Sequence, residues 1–354
     1  MRERVRIEGG GPAAGAAILA LRQADFAIDL RVPAEASIFP PLVLNEATVA
    51  LLGDLCGGSQ LFAQGHQLRR RIVCWGEGAP TIVAEPAVSV SGAQFRDALL
   101  KIAMAGLDAN CSIERASPAA PGNKAPWTLC AAATAVPPGS RIERFGRRIM
   151  LCAEVALRNA ADPDTCWIEA GAQGWVFLAP LGRRRAVVQA AFPEAPERAS
   201  ATALAEMVGT MPRIASLVAD LETPVQLHRI APAVRDPLAG DEWLALGGTA
   251  MALDPICGDG TGQALRSGLL AAAVVTALAE GGDRTMLVAH FTRRLVRSFA
   301  AHLAACSQFY QPALFGPSWQ REIAETQAAA AAFAFARQTV QEFALQNLRL
   351  VPIS

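Results

Sequence analysis

Lysine is almost missing from this chain: Lys101 and Lys124 are the only two, and arginine carries the remaining positive charge. Lys plus Arg and Asp plus Glu each number 32, so the net charge is zero and the basic footprint of a nucleic-acid binder is lacking. There are only four histidines, and the eight cysteines (56, 74, 111, 130, 152, 166, 257 and 306) form no CxxC pair. No zinc-ligand spacing results, so no metal is expected, and scattered thiols of this kind suit a reducing cytoplasm. The opening MRERVRIEGG enters a strand within a few residues, which leaves no room for a signal peptide. After that, the longest helical apolar run, 269–279, is far short of the roughly 20 residues a bilayer needs, so no membrane contact is expected.

What is present points to a well-packed globular chain. At 354 residues, 52% hydrophobic and 18% charged, it can bury a large core, and the length suggests roughly two domains. The strongest fold signal is VRIEGGGPAAGAAILAL, a short strand (5–8), a turn and an alanine-rich helix. Gly9, Gly11 and Ala14 occupy the positions of a G-x-G-x-x-G/A turn, with Ala13 beside them. The first glycine permits the tight turn, the second lets a pyrophosphate approach, and the small third residue lets helix and strand pack closely. Pro12 falls in the first helical turn, where its missing N–H costs nothing. A second strand follows at 26–32, but the acid that holds ribose hydroxyls in dinucleotide sites has no clear counterpart in DLRVPAE. Asp29 lies inside the strand, Arg31 near its end and Glu35 beyond a proline.

Further along, 60–90 reads as short alternating antiparallel strands, 91–105 as a helix ended by Gly106, and 127–145 as a strand followed by a Pro-Gly turn. A second β-rich block covers 165–192, and a helical stretch 199–220. The expected fold is α/β with two domains. A Rossmann-like nucleotide-binding domain is assembled from 1–60, 91–150 and 241–282. A β-rich substrate domain (61–90 and 151–240) is interleaved with it, and a C-terminal helical segment spans 283–354.

The late stretch WLALGGTAMALDPICGDGTGQALRSG runs from an apolar strand through a glycine-studded turn into a helix. Glycines there let backbone approach a ligand, and the first helical N–H groups attract negative charge. The stretch therefore looks like one wall of a cofactor site, with Gly9, Gly11, Ala13 and Ala14 as candidate contacts on another. Cys257 sits at a helix N-terminus, where a thiol pKa falls. Cys306 and Tyr310, one turn apart, share a helix face. Trp175, Phe177 and Pro180 are candidate walls of a substrate cavity, equally readable as sheet core. His66 is a candidate acid or base at its entrance. The runs Arg69–Arg71 and Arg183–Arg185 suit an acidic partner or a reduced nicotinamide, though solvated turns are the simpler reading. No triad or metal motif identifies a catalytic residue.

Taken together, GGGPAAGAA, WIEAGAQGWVFLAPL and GGTAMALDPICGDGTGQALRSG resemble the FAD-dependent monooxygenases and their tryptophan-halogenase relatives. The C-terminal FAAHLAACSQFYQPALFGPSWQREI, with DPICGDGTG, is most similar to the maturases of quinone-cofactor oxidases, of the lysine ε-oxidase and glycine oxidase type. The resemblance implies FAD, with NAD(P)H as a transient electron donor, and hydroxylation of an aromatic group. The substrate is then a small aromatic molecule or a tryptophan in a partner oxidase protein. It also implies cofactor contacts at Gly248, Asp254, Pro255, Gly258, Asp259, Gly260, Thr261 and Gly262, with Asp259 alternatively capping the helix or facing a substrate. The family has an Asp where this chain has Gly248, and an Asp-Ala-x-Gly-like element where it has Ala131–Ala135. Halogenation implies an added lysine, which neither Lys101 nor Lys124 matches. Three weakened anchors leave a second expectation, a flavin-free factor that binds its partner without chemistry. A nicotinamide dehydrogenase leaves the late glycine segment unexplained.

Overall fold

The computed structural model describes residues 3–33, 40–57, 59–62, 65–105, 112–116, 127–137, 139–158, 161–196, 200–221, 224–313, 315–338 and 342–353. Glu35, Gly106, Cys111 and Lys124 lie outside them. The first sheet has five parallel strands in the order Trp243–Ala245, Trp127–Cys130, Arg4–Glu8, Ala27–Pro33 and Ser112–Ala116, with Ala239–Gly240 antiparallel at one edge. This is the doubly wound arrangement expected from the N-terminal turn. The helix Pro12–Gln23 is alanine-rich because it is buried along most of its length, from Ala13 to Leu21. It crosses the helix Gly260–Ala279 so closely that a Cβ on Gly268 would stand 2.2 Å from the Ala13 carbonyl oxygen. Gly260–Ala279 has the length and apolarity of a membrane span, but 67% of that window is buried inside the fold, as befits a core helix.

The second sheet is larger and mostly antiparallel, in the order Val218–Leu221, Ile149–Leu157, Arg185–Phe192, Gly174–Pro180, Thr165–Gly171, His66–Cys74, Thr81–Val90 and Leu42–Asn45. Its central strand GWVFLAP is apolar throughout because both faces are covered. Val176 and Leu178 pack under the helices Ala201–Gly209 and Pro212–Leu217, joining Leu204, Met207 and Ile214. Trp175 and Ala179 face the other way, onto Cys306, Tyr310, Phe315 and Trp319. Alternation along one strand thus decides which residues meet the C-terminal helices Arg284–Tyr310 and Pro317–Ala332.

The structure departs from the sequence reading in several places, among them Val218–Leu221, a strand where 199–220 reads as helical. Leu42–Asn45, read as part of the nucleotide-binding segment, pairs with Thr81–Val90 in the larger sheet. Arg69–Arg71 lie within the strand His66–Cys74 and not in a turn. The C-terminal segment ends in a hairpin of Phe343–Gln346 and Arg349–Pro352, where Asn347 and Leu348 take φ of 47° and 61°.

Candidate functional site

The N-terminal turn makes one side of the site. Gly9 holds φ 131°, and its N–H donates to the Arg31 carbonyl at 2.8 Å. A Cβ there would stand 2.7 Å from the Ala131 backbone, so the position admits only glycine. Gly11 caps the helix without a side-chain hydrogen bond, and the first turn holds Pro12 and no acid. That leaves the helix start suited to an anion. Ala13 and Ala14 are buried beneath it.

The late glycine segment comes up against the same helix start. Gly247, at φ 55°, donates its N–H to Ser267 Oγ at 2.8 Å, and a Cβ on it would stand 2.9 Å from Ala13. Gly248 is exposed, with open space where a side chain would go. Asp254 then begins a single turn, Pro255–Cys257, its Oδ1 accepting the Ile256 N–H at 3.0 Å. Gly258 (φ 65°) and Gly260 also have open space at their Cβ positions. Asp259 precedes the helix without capping it, because its carboxylate pairs with Arg266. Gly262 is turned inward instead, where a Cβ would meet Thr48 Oγ1 at 2.8 Å.

Between this segment and the larger sheet lies a cavity of about 210 Å³. Pro255, Gly258, Gly260 and Thr261 form one wall, and Met150, Ile168, Trp175 and Phe177 the other. Arg71 also lines it, held by Glu85 at 3.1 Å and lying 5.7 Å from the Phe177 ring centre. Trp175 is therefore both core and cavity wall, and Phe177 is half-buried on the same face. Pro180 is buried and does not line the cavity; its carbonyl accepts from Ser89 Oγ. His66 begins a strand, with Nε2 against the Pro163 carbonyl, and does not line the cavity either.

A charged network that sequence patterning does not reveal supports the cavity. Arg148 is wholly buried, donating Nε to Asp254 Oδ2 at 3.0 Å and Nη1 to Glu322 Oε2 at 3.0 Å and Thr326 Oγ1 at 2.9 Å. Tyr310, the only tyrosine, donates its hydroxyl to Asp254 Oδ2 at 2.8 Å and receives the Trp175 indole N–H at 3.4 Å. Burial pushes the Tyr310 hydroxyl well above its ordinary pKa and raises the Glu322 carboxyl. Asp254, a candidate cofactor contact by sequence, thus spends its carboxylate on the scaffold.

The residues present fit a dinucleotide in its phosphate and ring portions. Gly9, Gly11, Ala13 and Ala14 would hold the pyrophosphate at a helix start with no side-chain cap. The open backbone at Gly258 and Gly260 would lie against a planar ring. The ribose is less well served. Asp29 is tied to Arg6 at 2.9 Å, and Gly248 offers no carboxylate.

Comparison with known proteins agrees in fold. No family model and no curated protein matches the chain. Among solved structures, the flavin-dependent halogenase CmlS superposes with a TM-score of 0.78 at 17% identity, over 96% of this chain and 72% of that one. The flavin-dependent brominase Bmp2 gives 0.75 at 16%, over 96% and 98%. The peptidyl tryptophan dihydroxylase QhpG, essential for tryptophylquinone cofactor biogenesis, gives 0.71 at 19%, over 91% and 79%. The chain therefore has the fold of the flavin-dependent halogenases and monooxygenases, the α/β architecture expected from its glycine motifs.

Proposed function

We propose that this chain is an FAD-dependent oxygenase that hydroxylates an aromatic group, with a tryptophan of a partner oxidase, modified during quinone-cofactor maturation, as its substrate. The cavity carries this reading, because it sets Trp175 and Phe177 opposite the glycine segment where a flavin ring would lie. At about 210 Å³ it has room for a planar aromatic group between the glycine segment and the sheet. The likeness in fold to a peptidyl tryptophan dihydroxylase supports the same choice.

When bound, FAD supplies the activation of oxygen, with reduced nicotinamide as its transient donor. The chain's own part is to hold and exclude. The N-terminal helix start would hold the pyrophosphate and the Pro255–Thr261 backbone the ring, while Ile168, Trp175 and Phe177 would orient the substrate and exclude water. Among the described residues no lysine lines the cavity, and Lys101 is exposed on the helix Gly92–Met104, so hydroxylation is favoured over halogenation.

Reconstitution with FAD tests the proposal. One bound flavin per chain, and oxygen uptake that rises when a tryptophan-containing peptide is added to the reduced protein, are expected. A protein that takes up no flavin overturns it. That result favours the second reading, a flavin-free factor gripping a partner's aromatic side chain, which the missing carboxylate at Gly248 and the engaged Asp29 support.

A further inference from the structure

Behind the Pro255–Cys257 turn, three side chains converge that the proposed oxygenase chemistry does not use. Cys257 Sγ lies 3.6 Å from Cys306 Sγ, and Cys306 Sγ lies 3.3 Å from His302 Nε2. His302 and Cys306 are one turn apart on the helix Arg284–Tyr310, so they share a face. Cys306 is fully buried, whereas Cys257 is half-buried and lines a second cavity of about 160 Å³ together with His302 and Asp259.

A Cys-His-Cys cluster with its ligand atoms within 4.8 Å suits either a soft cation or thiol redox chemistry. The imidazole decides between them. His302 Nε2 already accepts the Asp254 backbone N–H at 2.8 Å, so the lone pair a metal would need is taken. The two sulfurs lie against each other, Cys306 also touching that imidazole nitrogen, so the contact that remains open to chemistry is the one between the thiols.

We propose that Cys257 and Cys306 form a peroxide-reactive dithiol, with Cys257 as the attacking sulfur, Cys306 as the resolving sulfur and hydrogen peroxide as the substrate. Accessibility assigns the roles, because Cys257 reaches a cavity and Cys306 does not. In the first step the Cys257 thiolate attacks one peroxide oxygen and the O–O bond breaks. This leaves Cys257 as a sulfenic acid, and the departing hydroxide takes a proton from solvent to become water. In the second step Cys306 sulfur attacks the sulfenic sulfur, the S–O bond breaks, and the leaving hydroxide carries off the Cys306 proton as a second water. The net change is two thiols and one peroxide to one disulfide and two waters.

The electrostatics agree with these roles. The hydrogen bond from the Cys306 thiol, against the opposing effect of burial, brings the Cys257 thiol down to about 6, while burial drives Cys306 well up. Cys257 is thus the more readily ionised of the two sulfurs, and Cys306 is the one held as a thiol. A disulfide there would tie the Pro255–Cys257 turn, and with it the cavity wall, to the helix Arg284–Tyr310. The oxygenase reading gives the site a source of peroxide, since reduction of oxygen without substrate releases it, but the dithiol chemistry stands apart from flavin.

Peptide mapping of the full chain tests the assignment. After reduction, removal of reductant and addition of hydrogen peroxide, two thiols should disappear. The peptides carrying Cys257 and Cys306 should appear cross-linked, with the pair about 2 Da lighter than the sum of its parts. Cys306→Ser should stop at a sulfenic acid on Cys257 that dimedone captures, and Cys257→Ser should leave Cys306 unreacted. Retention of both thiols in excess peroxide overturns the proposal. So does one equivalent of zinc in the purified protein that is lost in Cys257→Ser, which would make the cluster a cation site. Flavin content measured on the same samples keeps the two readings separate, because flavin-depleted protein should form the same cross-link.

Discussion

Arg148 and Asp254 are 106 residues apart in the chain and meet at 3.0 Å, with both side chains at zero exposure. Arg148 leads into the strand Ile149–Leu157 of the larger sheet, and Asp254 opens the turn that forms the cavity wall. Glu322 and Tyr310 reach the same pair from the two C-terminal helices. One guanidinium therefore fixes sheet, turn and helices relative to one another, and the cavity between them inherits that rigidity.

Removing this cation should be severe. Arg148→Met leaves Asp254 and Glu322 buried without their counter-charge, and breaking a buried pair in this way costs about 3–5 kcal/mol. Chemical denaturation of the variant should show a loss of that size. A loss below about 1 kcal/mol would mean that the network contributes little to holding the turn.

Restoring the missing carboxylate should strengthen flavin binding. Gly248 has no neighbour within 4 Å of a built Cβ and no positive φ, so Gly248→Asp is sterically free. One added hydrogen bond contributes about 0.5–1.5 kcal/mol, or roughly two- to tenfold in affinity. Fluorescence titration with FAD measures it, and unchanged affinity would place the cofactor elsewhere.

The sequence revealed those parts of the site that are local in the chain. Gly9, Gly11 and the Gly247–Gly260 segment are legible because strand, turn and helix follow one another within a few residues, and glycine marks the tight places. The Arg148 network is not legible, because an ion pair spanning 106 residues leaves no periodic trace. Asp254 reads as a cofactor contact for the same reason: nothing nearby in the chain discloses Arg148 or Tyr310. Arg71 is hidden in a run of three arginines that reads as a solvated turn. A register shift between Leu68 and Arg70 interrupts the strand's alternation, and Arg71 is the member of the run that reaches the cavity. The terminal hairpin has two four-residue strands, too short for a pattern.

A substitution at Phe177 should separate substrate recognition from cofactor binding. Its ring stands on the sheet wall of the cavity, across from the glycine segment, and pairs with Gln189 in the neighbouring strand. Phe177→Ala removes an aromatic contact whose specific part alone contributes about 0.5–1.5 kcal/mol, with apolar area in addition. The expected result is a loss of roughly tenfold or more in kcat/KM for an aromatic substrate at unchanged FAD affinity. A parallel loss of flavin would show that the residue supports the fold and not the substrate.

Cys257 makes the pH dependence specific. Its thiol ordinarily titrates near 9 and is brought to about 6, foremost by the hydrogen bond from the Cys306 S–H and against the effect of burial. Between those two values the folded chain holds a thiolate where the unfolded chain holds a thiol. The associated stability is therefore fully present above about 9 and is lost as pH falls through about 6. Alkylation of Cys257 by iodoacetamide, followed by peptide mapping, should rise with a midpoint near 6. Cys306→Ala removes the leading cause, so the midpoint should move upward while the chain stays folded. A midpoint that stays near 6 in Cys306→Ala would take the depression away from the Cys306 thiol, and one near 9 in the unaltered chain would remove the thiolate from the site.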